Sequence, residues 1–135
     1  MRYFLAKSEP GTYSIDDLER DGRTVWDGVT NAQAVRAINE MQPGDTVFLY
    51  HSGKEASVVG VARVVSAPRA DPKNAKSAVV EFEYAGRVAP PVSLSEIKAS
   101  GQFMDWALVR QSRLSTMSAP EAFVNWMKAS GRTIG

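Results

Sequence analysis

Hydrophobic and polar positions alternate along this chain with two different periods. Tyr3 to Lys7 is a short apolar run closed by Pro10-Gly11 and predicts a strand. Ser14, with Asp17 three residues on and Ile15 and Leu18 on one side, predicts a short capped helix that turns at Asp21-Gly22. Val25 to Val29 (VWDGV) has no period and reads as irregular. Asn31 then caps a second helix. Its Val35, Ile38 and Met41 recur every three residues beside Ala34, and Pro43-Gly44 stops it.

The middle of the chain reads as β. Asp45 to His51 is a strand, and Ser52 to Glu55 is a glycine-containing turn. Ser57 to Ser66 is a valine-rich strand, apolar on both faces except at Arg63, as in a barrel wall. Gly60 in its interior predicts a bend or bulge. Pro68 to Lys76 reads as a loop. Ala78, Val80, Phe82 and Tyr84 alternate with Val79, Glu81 and Glu83, predicting a strand with one wet face. Pro90-Pro91 reads as an extended break, and Ser93 with Glu96 as a capping box opening a short helix. Leu108 to Ser115 is a mixed-pattern strand. Ser118 with Glu121 is a second capping box before a helix bearing Ala122, Phe123, Trp126 and Met127, ended at Gly131. The expected class is α+β: a small bent antiparallel sheet or barrel flanked by helices.

Composition narrows the chemistry. A chain of 135 residues fits one domain, spanning 1–135, since domains run to roughly 100–200 residues. With no cysteine, a disulfide framework, a thiolate zinc site and a cysteine nucleophile are excluded. One histidine excludes a site needing two imidazoles, and no metal or cofactor is expected. A formal net charge of +1 argues against broad electrostatic coating of nucleic acid or membrane. Lys7 and Glu9 interrupt the first apolar run too early for a signal peptide, and no run reaches the ~20 residues of a membrane span. The expected setting is cytoplasmic, or nuclear in a eukaryote, without a membrane partner.

His51 alone titrates near neutrality without help. No P-loop or Gly-x-Ser-x-Gly elbow accompanies it. Binding is better supported than catalysis. Polar residues collect where strands end, at Lys7-Ser8-Glu9, at Asn31 and at Tyr50-His51-Ser52, and Trp26 sits in the irregular segment. An aromatic face with a few fixed hydrogen bonds is how a flat heteroaromatic base is held. The other reading places Trp26 in the core and uses Ser8, Asn31 and Ser52 as caps and turn residues. Likewise Arg110 to Arg113 is either a phosphate-contacting segment or a solvated strand edge.

Lys7-Ser8-Glu9-Pro10, Trp26-Asp27-Gly28-Val29 followed by Asn31, Gly44-Asp45, Tyr50-His51-Ser52, Pro91-Val92-Ser93-Leu94 and Leu108 to Ser115 occur in that order. Together they resemble the EVE domain family over nearly the whole chain. The resemblance implies a PUA-like fold, a small bent β-barrel flanked by helices, related to the YTH and ASCH domains. It also implies a non-catalytic reader of a modified base, modified cytosine in DNA or RNA foremost. The base would be flipped into a pocket lined by Ser8, Trp26, Asn31, His51 and Ser52. Trp26 would stack on it, and Ser8, Asn31 and Ser52 would supply hydrogen bonds. His51 would bond the base or orient a neighbour. Lys7, Arg110 and Arg113 would lie near backbone phosphates, and the expected protein is a monomer. Thr30 and Ala32 depart from the family pattern, where a basic residue and an aromatic are usual. Two rival functions stay open: an enzyme acting on a nucleotide or nucleic acid with His51 as general base, and a protein-interaction domain with a vestigial pocket.

Overall fold

The two runs with the highest density of buried side chains, Thr46–His51 and Ser57–Val64, pair as antiparallel neighbours at the centre of the sheet. A computed structural model describes residues 1–135. In chain order the elements are β1 (Tyr3–Ser8), α1 (Ile15–Asp21), β2 (Arg23–Trp26), α2 (Ala32–Asn39), β3 (Thr46–His51), β4 (Ser57–Val64), β5 (Arg69–Asp71), β6 (Asn74–Ser93), α3 (Leu94–Ala99), α4 (Ala107–Arg110), β7 (Thr116–Ala119), α5 (Glu121–Ala129) and β8 (Thr133–Ile134).

The strand path runs β2-β6-β4-β3-β1-β7, with β5 and β8 paired to β6 off that path. The α+β class and the bent sheet match expectation, with two differences of detail. The sheet does not close, because β2 and β7 at its ends are not paired; α2 packs on β7 and β6 across that side. And β1 runs parallel to β3, so the carboxyl ends of both lie at one edge. The end of β1 lines the candidate site, and β3 holds that end in place.

Most local signals act as read. Ser14 Oγ accepts from the Asp17 amide while the Asp17 carboxylate accepts from the Ser14 amide, a reciprocal capping box. Asn31 Oδ1 accepts from the amides of Gln33 and Ala34 and starts α2. β4 is buried on both faces except at Arg63. The register slips around Gly60. A Cβ on Gly60 would lie 2.1 Å from Cδ1 of Ile15, so its missing side chain is what lets α1 pack on the sheet. One contiguous core of 33 buried residues fills the interior. No helix is long and apolar enough to cross a membrane.

Five local expectations are corrected. Pro68 to Lys76 is not a plain loop: β5 and the start of β6 form a hairpin, with Asp71 Oδ1 accepting from the Lys73 amide in its turn. Val25 and Trp26 belong to β2, and only the residues after them are irregular. Pro90-Pro91 does not break the chain's extension, because β6 runs on to Ser93 and Arg132 donates to the carbonyls of both prolines. Leu108 to Ser115 is no strand. Its buried residues Leu108 and Leu114 are six apart, and α4 closes as one helical turn on the Trp106 carbonyl. Finally, Ser118 caps nothing. It stays in β7 opposite Phe4, and Pro120 takes the N-cap position of α5 without a side-chain bond.

Candidate functional site

The parallel pairing of β1 with β3 sets Lys7 opposite Tyr50 and Ser8 opposite His51. The Ser52 amide donates to the Ser8 carbonyl at 2.9 Å, and the Lys7 amide donates to the Ser115 carbonyl at 2.8 Å. Beyond β1 the chain turns at Glu9, whose carbonyl accepts from the amides of Thr12 and Tyr13. Ser8 Oγ donates to the Tyr13 carbonyl at 2.6 Å and ties this turn to the strand end.

Tyr13 then meets Trp26 edge-on, ring centroids 6.2 Å apart at 78°. Trp26 is braced on its other neighbour, Phe82, at 5.2 Å and 31°. Its place is set by pairing with Val80 across β2 and β6. Past Trp26, Gly28 adopts φ +75°, a left-handed turn that favours glycine. Val29 is buried, and its carbonyl accepts from Ser77 Oγ.

These segments enclose a cavity of about 380 Å³. It is lined by Lys7, Ser8, Thr12 and Tyr13 from one side, by Thr24 to Val29 from the other, and by Ser115. The volume is near the lower end for small-ligand sites, ~300–1,000 Å³. A larger groove, about 690 Å³, lies at the opposite end of β1 around Met1, Tyr3, Phe103 and Trp106. None of the residues expected at the site lines it, and size alone gives it no chemistry.

Two electrostatic features mark the smaller cavity. Burial lowers the Lys7 amine below the usual lysine range. Its Nζ donates to the Ser112 carbonyl at 3.0 Å and lies 5.6 Å from the centre of the Tyr50 ring. Burial raises the Tyr13 phenol, which donates to Asp21 at 3.0 Å.

Of the residues expected at the pocket, the structure brings Ser8 and Trp26 to one cavity, which Lys7, expected near a phosphate, also lines. It does not bring Asn31, His51 or Ser52 to that lining. Asn31 is exposed, with its Oδ1 given to the α2 cap. His51 is 5% exposed: Nε2 accepts from the Ile15 amide at 3.0 Å, and Nδ1 lies 2.8 Å from the Glu55 carboxylate. Those two bonds fix the tautomer with the proton on Nδ1. Ser52 contributes its backbone amide to Ser8. Arg110 pairs with Asp105 at 3.4 Å, whereas Arg113 is exposed on the loop between Ser112 and Ser115.

Sequence reasoning missed Thr12, Tyr13, Thr24 and Ser115 as lining residues, and Glu55 as the partner of His51. Thr24 had a signal, since it lies two residues before Trp26 and so shares its face of β2. Glu55 also had one, four residues after His51, but the pair spans the Ser52–Lys54 turn rather than a helix. Tyr13 and Ser115 had none, because only long-range pairing brings them in.

Comparison with known proteins adds an independent line. The model of the EVE domain matches residues 2–129. The chain belongs to the EVE domain family. Thymocyte nuclear protein 1 of Rattus norvegicus is 30% identical over 128 residues, which cover 74% of this chain and 57% of the rat protein. This EVE domain thus spans little more than half the length of the curated relatives it matches. A Rhodopseudomonas palustris protein solved by NMR superposes with TM-score 0.89 at 32% identity, covering 97% of this chain and 94% of that one. Human THYN1 protein, solved in complex with 5-methylcytosine containing DNA, superposes with TM-score 0.83 at 25% identity, covering 96% and 97%. The PUA-like class expected from the motifs therefore stands for this EVE domain.

Proposed function

We propose that this EVE domain is a non-catalytic binding module for nucleic acid that reads a modified base, modified cytosine foremost. A single observation carries the reading: Trp26, braced from behind by Phe82 and at its edge by Tyr13, lines a small cavity whose rim is polar. A braced indole loses little freedom when a flat base stacks on it. Ser8, Thr12, Thr24, Ser115 and the backbone around Gly28 stand within the same lining to bond a base edge. The human relative's complex with 5-methylcytosine containing DNA supports the ligand class. Access for one base at a time requires the nucleotide to be flipped out of its stack.

Asn31, His51 and Ser52 act at one remove in this proposal. Asn31 holds α2, Ser52 fixes the end of β1, and His51 anchors the start of α1 beside Tyr13. The rival with His51 as general base finds no support in the geometry, since neither ring nitrogen is left for a substrate proton.

A base–aromatic stack contributes roughly 1–3 kcal/mol, so Trp26→Ala weakens binding of an oligonucleotide carrying 5-methylcytosine by about ten- to a hundredfold. The measurement is a fluorescence titration at stated salt, with a thermal melt to confirm that the variant is folded. A folded variant that binds as tightly as the unsubstituted protein refutes the stacking role.

A further inference from the structure

The hairpin formed by β5 and the start of β6 carries a charge that neither the fold nor the pocket uses. Between Ser66 and Ser77 stand three cations, Arg69, Lys73 and Lys76, against one anion, Asp71, a net +2. The rest of the chain sums to −1. Arg69 is neutralised by Glu81 at 3.2 Å. Asp71 spends its carboxylate on the Lys73 amide at 2.8 Å. Asn74 Oδ1 accepts from the Lys76 amide at 3.0 Å. The turn is thus held by side-chain oxygens that accept from backbone amides, and the ammonium groups of Lys73 and Lys76 are exposed and engage no carboxylate.

The hairpin's position is tied to the cavity. β2 and β6 run antiparallel with Trp26 opposite Val80. Following that register outward, the chain past Trp26 runs alongside the base of the hairpin. The bond from Ser77 Oγ to the Val29 carbonyl fixes the two there. Val29 and Gly28 line the cavity, and Lys76 is the residue next to Ser77. On the opposite rim, beyond Ser115, stands exposed Arg113. Cations therefore flank the cavity on two sides, while Lys98 and Lys128 lie on α3 and α5, away from its lining.

We infer that the Arg69–Ser77 hairpin is a phosphate-binding arm, with Lys73 and Lys76 contacting the nucleic-acid backbone next to the base seated at Trp26. The inference rests on the base-reading function proposed above. Phosphate contacts set register and carry no sequence information, so the arm supplies affinity and orientation, and the cavity supplies selectivity.

Each phosphate neutralised steepens the dependence of log K on log salt by about 0.9 for duplex DNA. The experiment titrates two DNA duplexes, one with a single 5-methylcytosine and one unmodified, between 50 and 200 mM salt. It compares the unsubstituted protein with Lys73→Gln/Lys76→Gln, with the charge-keeping Lys73→Arg/Lys76→Arg, and with Lys98→Gln/Lys128→Gln. The expected result is a slope shallower by about 1.8 in the Lys73→Gln/Lys76→Gln variant only, which makes its loss of affinity across that salt range about tenfold smaller. Preference for the modified duplex stays unchanged. An unchanged slope with that preference intact overturns the arm and leaves the base reading standing. A shallower slope with no preference in any variant sustains the arm and overturns the base reading. Absence of binding by the unsubstituted protein overturns both.

Discussion

His51 shows how a residue that looks reactive in one dimension becomes a fastener in three. Its Nε2 is the only acceptor for the Ile15 amide, a buried donor at the start of α1. Removing that acceptor leaves a buried N–H without a partner, which costs about 1–3 kcal/mol. His51→Ala therefore lowers the unfolding free energy by that much, read as a lower urea midpoint at unchanged slope, and His51→Gln, whose amide oxygen can accept the same bond, recovers part of it. An unchanged midpoint in His51→Ala would remove the fastening role. Lys7 gives a second test at this scale. Burial holds its pKa below the unfolded value of 10.5, so in the window between the two the unfolded chain binds more protons. Stability from this group accordingly rises as pH climbs through the lowered pKa toward 10.5. Lys7→Met flattens that rise in denaturation curves collected at a series of alkaline pH values; if it leaves the rise untouched, burial of Lys7 is not its source.

Among the elements, α1 is held by three contacts that act together. The Ser14–Asp17 box starts it, His51 receives its first amide, and Gly60 of β4 leaves room for Ile15. A methyl at Gly60 overlaps Cδ1 of Ile15 at 2.1 Å and Cγ1 at 2.7 Å. Overpacking of this kind costs about 1–3 kcal/mol. Gly60→Ala is expected to destabilise by that amount, and Ile15→Ala to destabilise on its own account by removing buried methylenes. Because the second change deletes the atoms that the first one strikes, the double variant is less destabilised than the two single variants together. Strict additivity in thermal melts would mean that α1 and β4 are not in direct contact there. Since Tyr13 immediately precedes the Ser14 cap, loosening α1 also loosens one wall of the cavity.

At the scale of the whole molecule, cations and anions nearly balance, yet their placement does not. Much of the arginine is absorbed in ion pairs, including Arg87 with both Asp16 and Glu19 and Arg132 with Glu96. The cations left beside the cavity are Lys7, Arg113, Lys73 and Lys76. Counting one phosphate for each, the overall salt slope for duplex DNA is no steeper than about −4. A much steeper measured slope would point to a broad basic surface that the charge distribution does not contain. The cavity is also a property of this scale, because its walls come from residues 7–8, 12–13, 24–29 and 115, brought together only by the strand pairing.

What the sequence determined by itself was local and family-level. The caps at Ser14 and Asn31, the doubly buried β4 with its bulge at Gly60, and the buried Phe123 and Met127 of α5 all act through neighbours within a turn or two, so a single pass along the chain exposes them, whereas Val79, expected on a wet face of β6, is buried. The ordered motifs likewise sufficed for the EVE domain and its fold class. Lys7 and Ser8 stood out because polar residues collect at a strand end, and Trp26 because it sat in a stretch without a period; all three line the cavity. The remainder was decided by tertiary structure. Periodicity states which face of a strand is buried, but not which strand lies beside it or in which direction. The parallel β1–β3 pair, the bond from Ile15 to His51, the open sheet with α2 across its gap and the hairpin beside Val29 depend on partners dozens of residues away. Those partners are chosen by closure of the whole chain around one core, and they place Asn31 at the cap of α2 and His51 against the first amide of α1, outside the lining of the cavity.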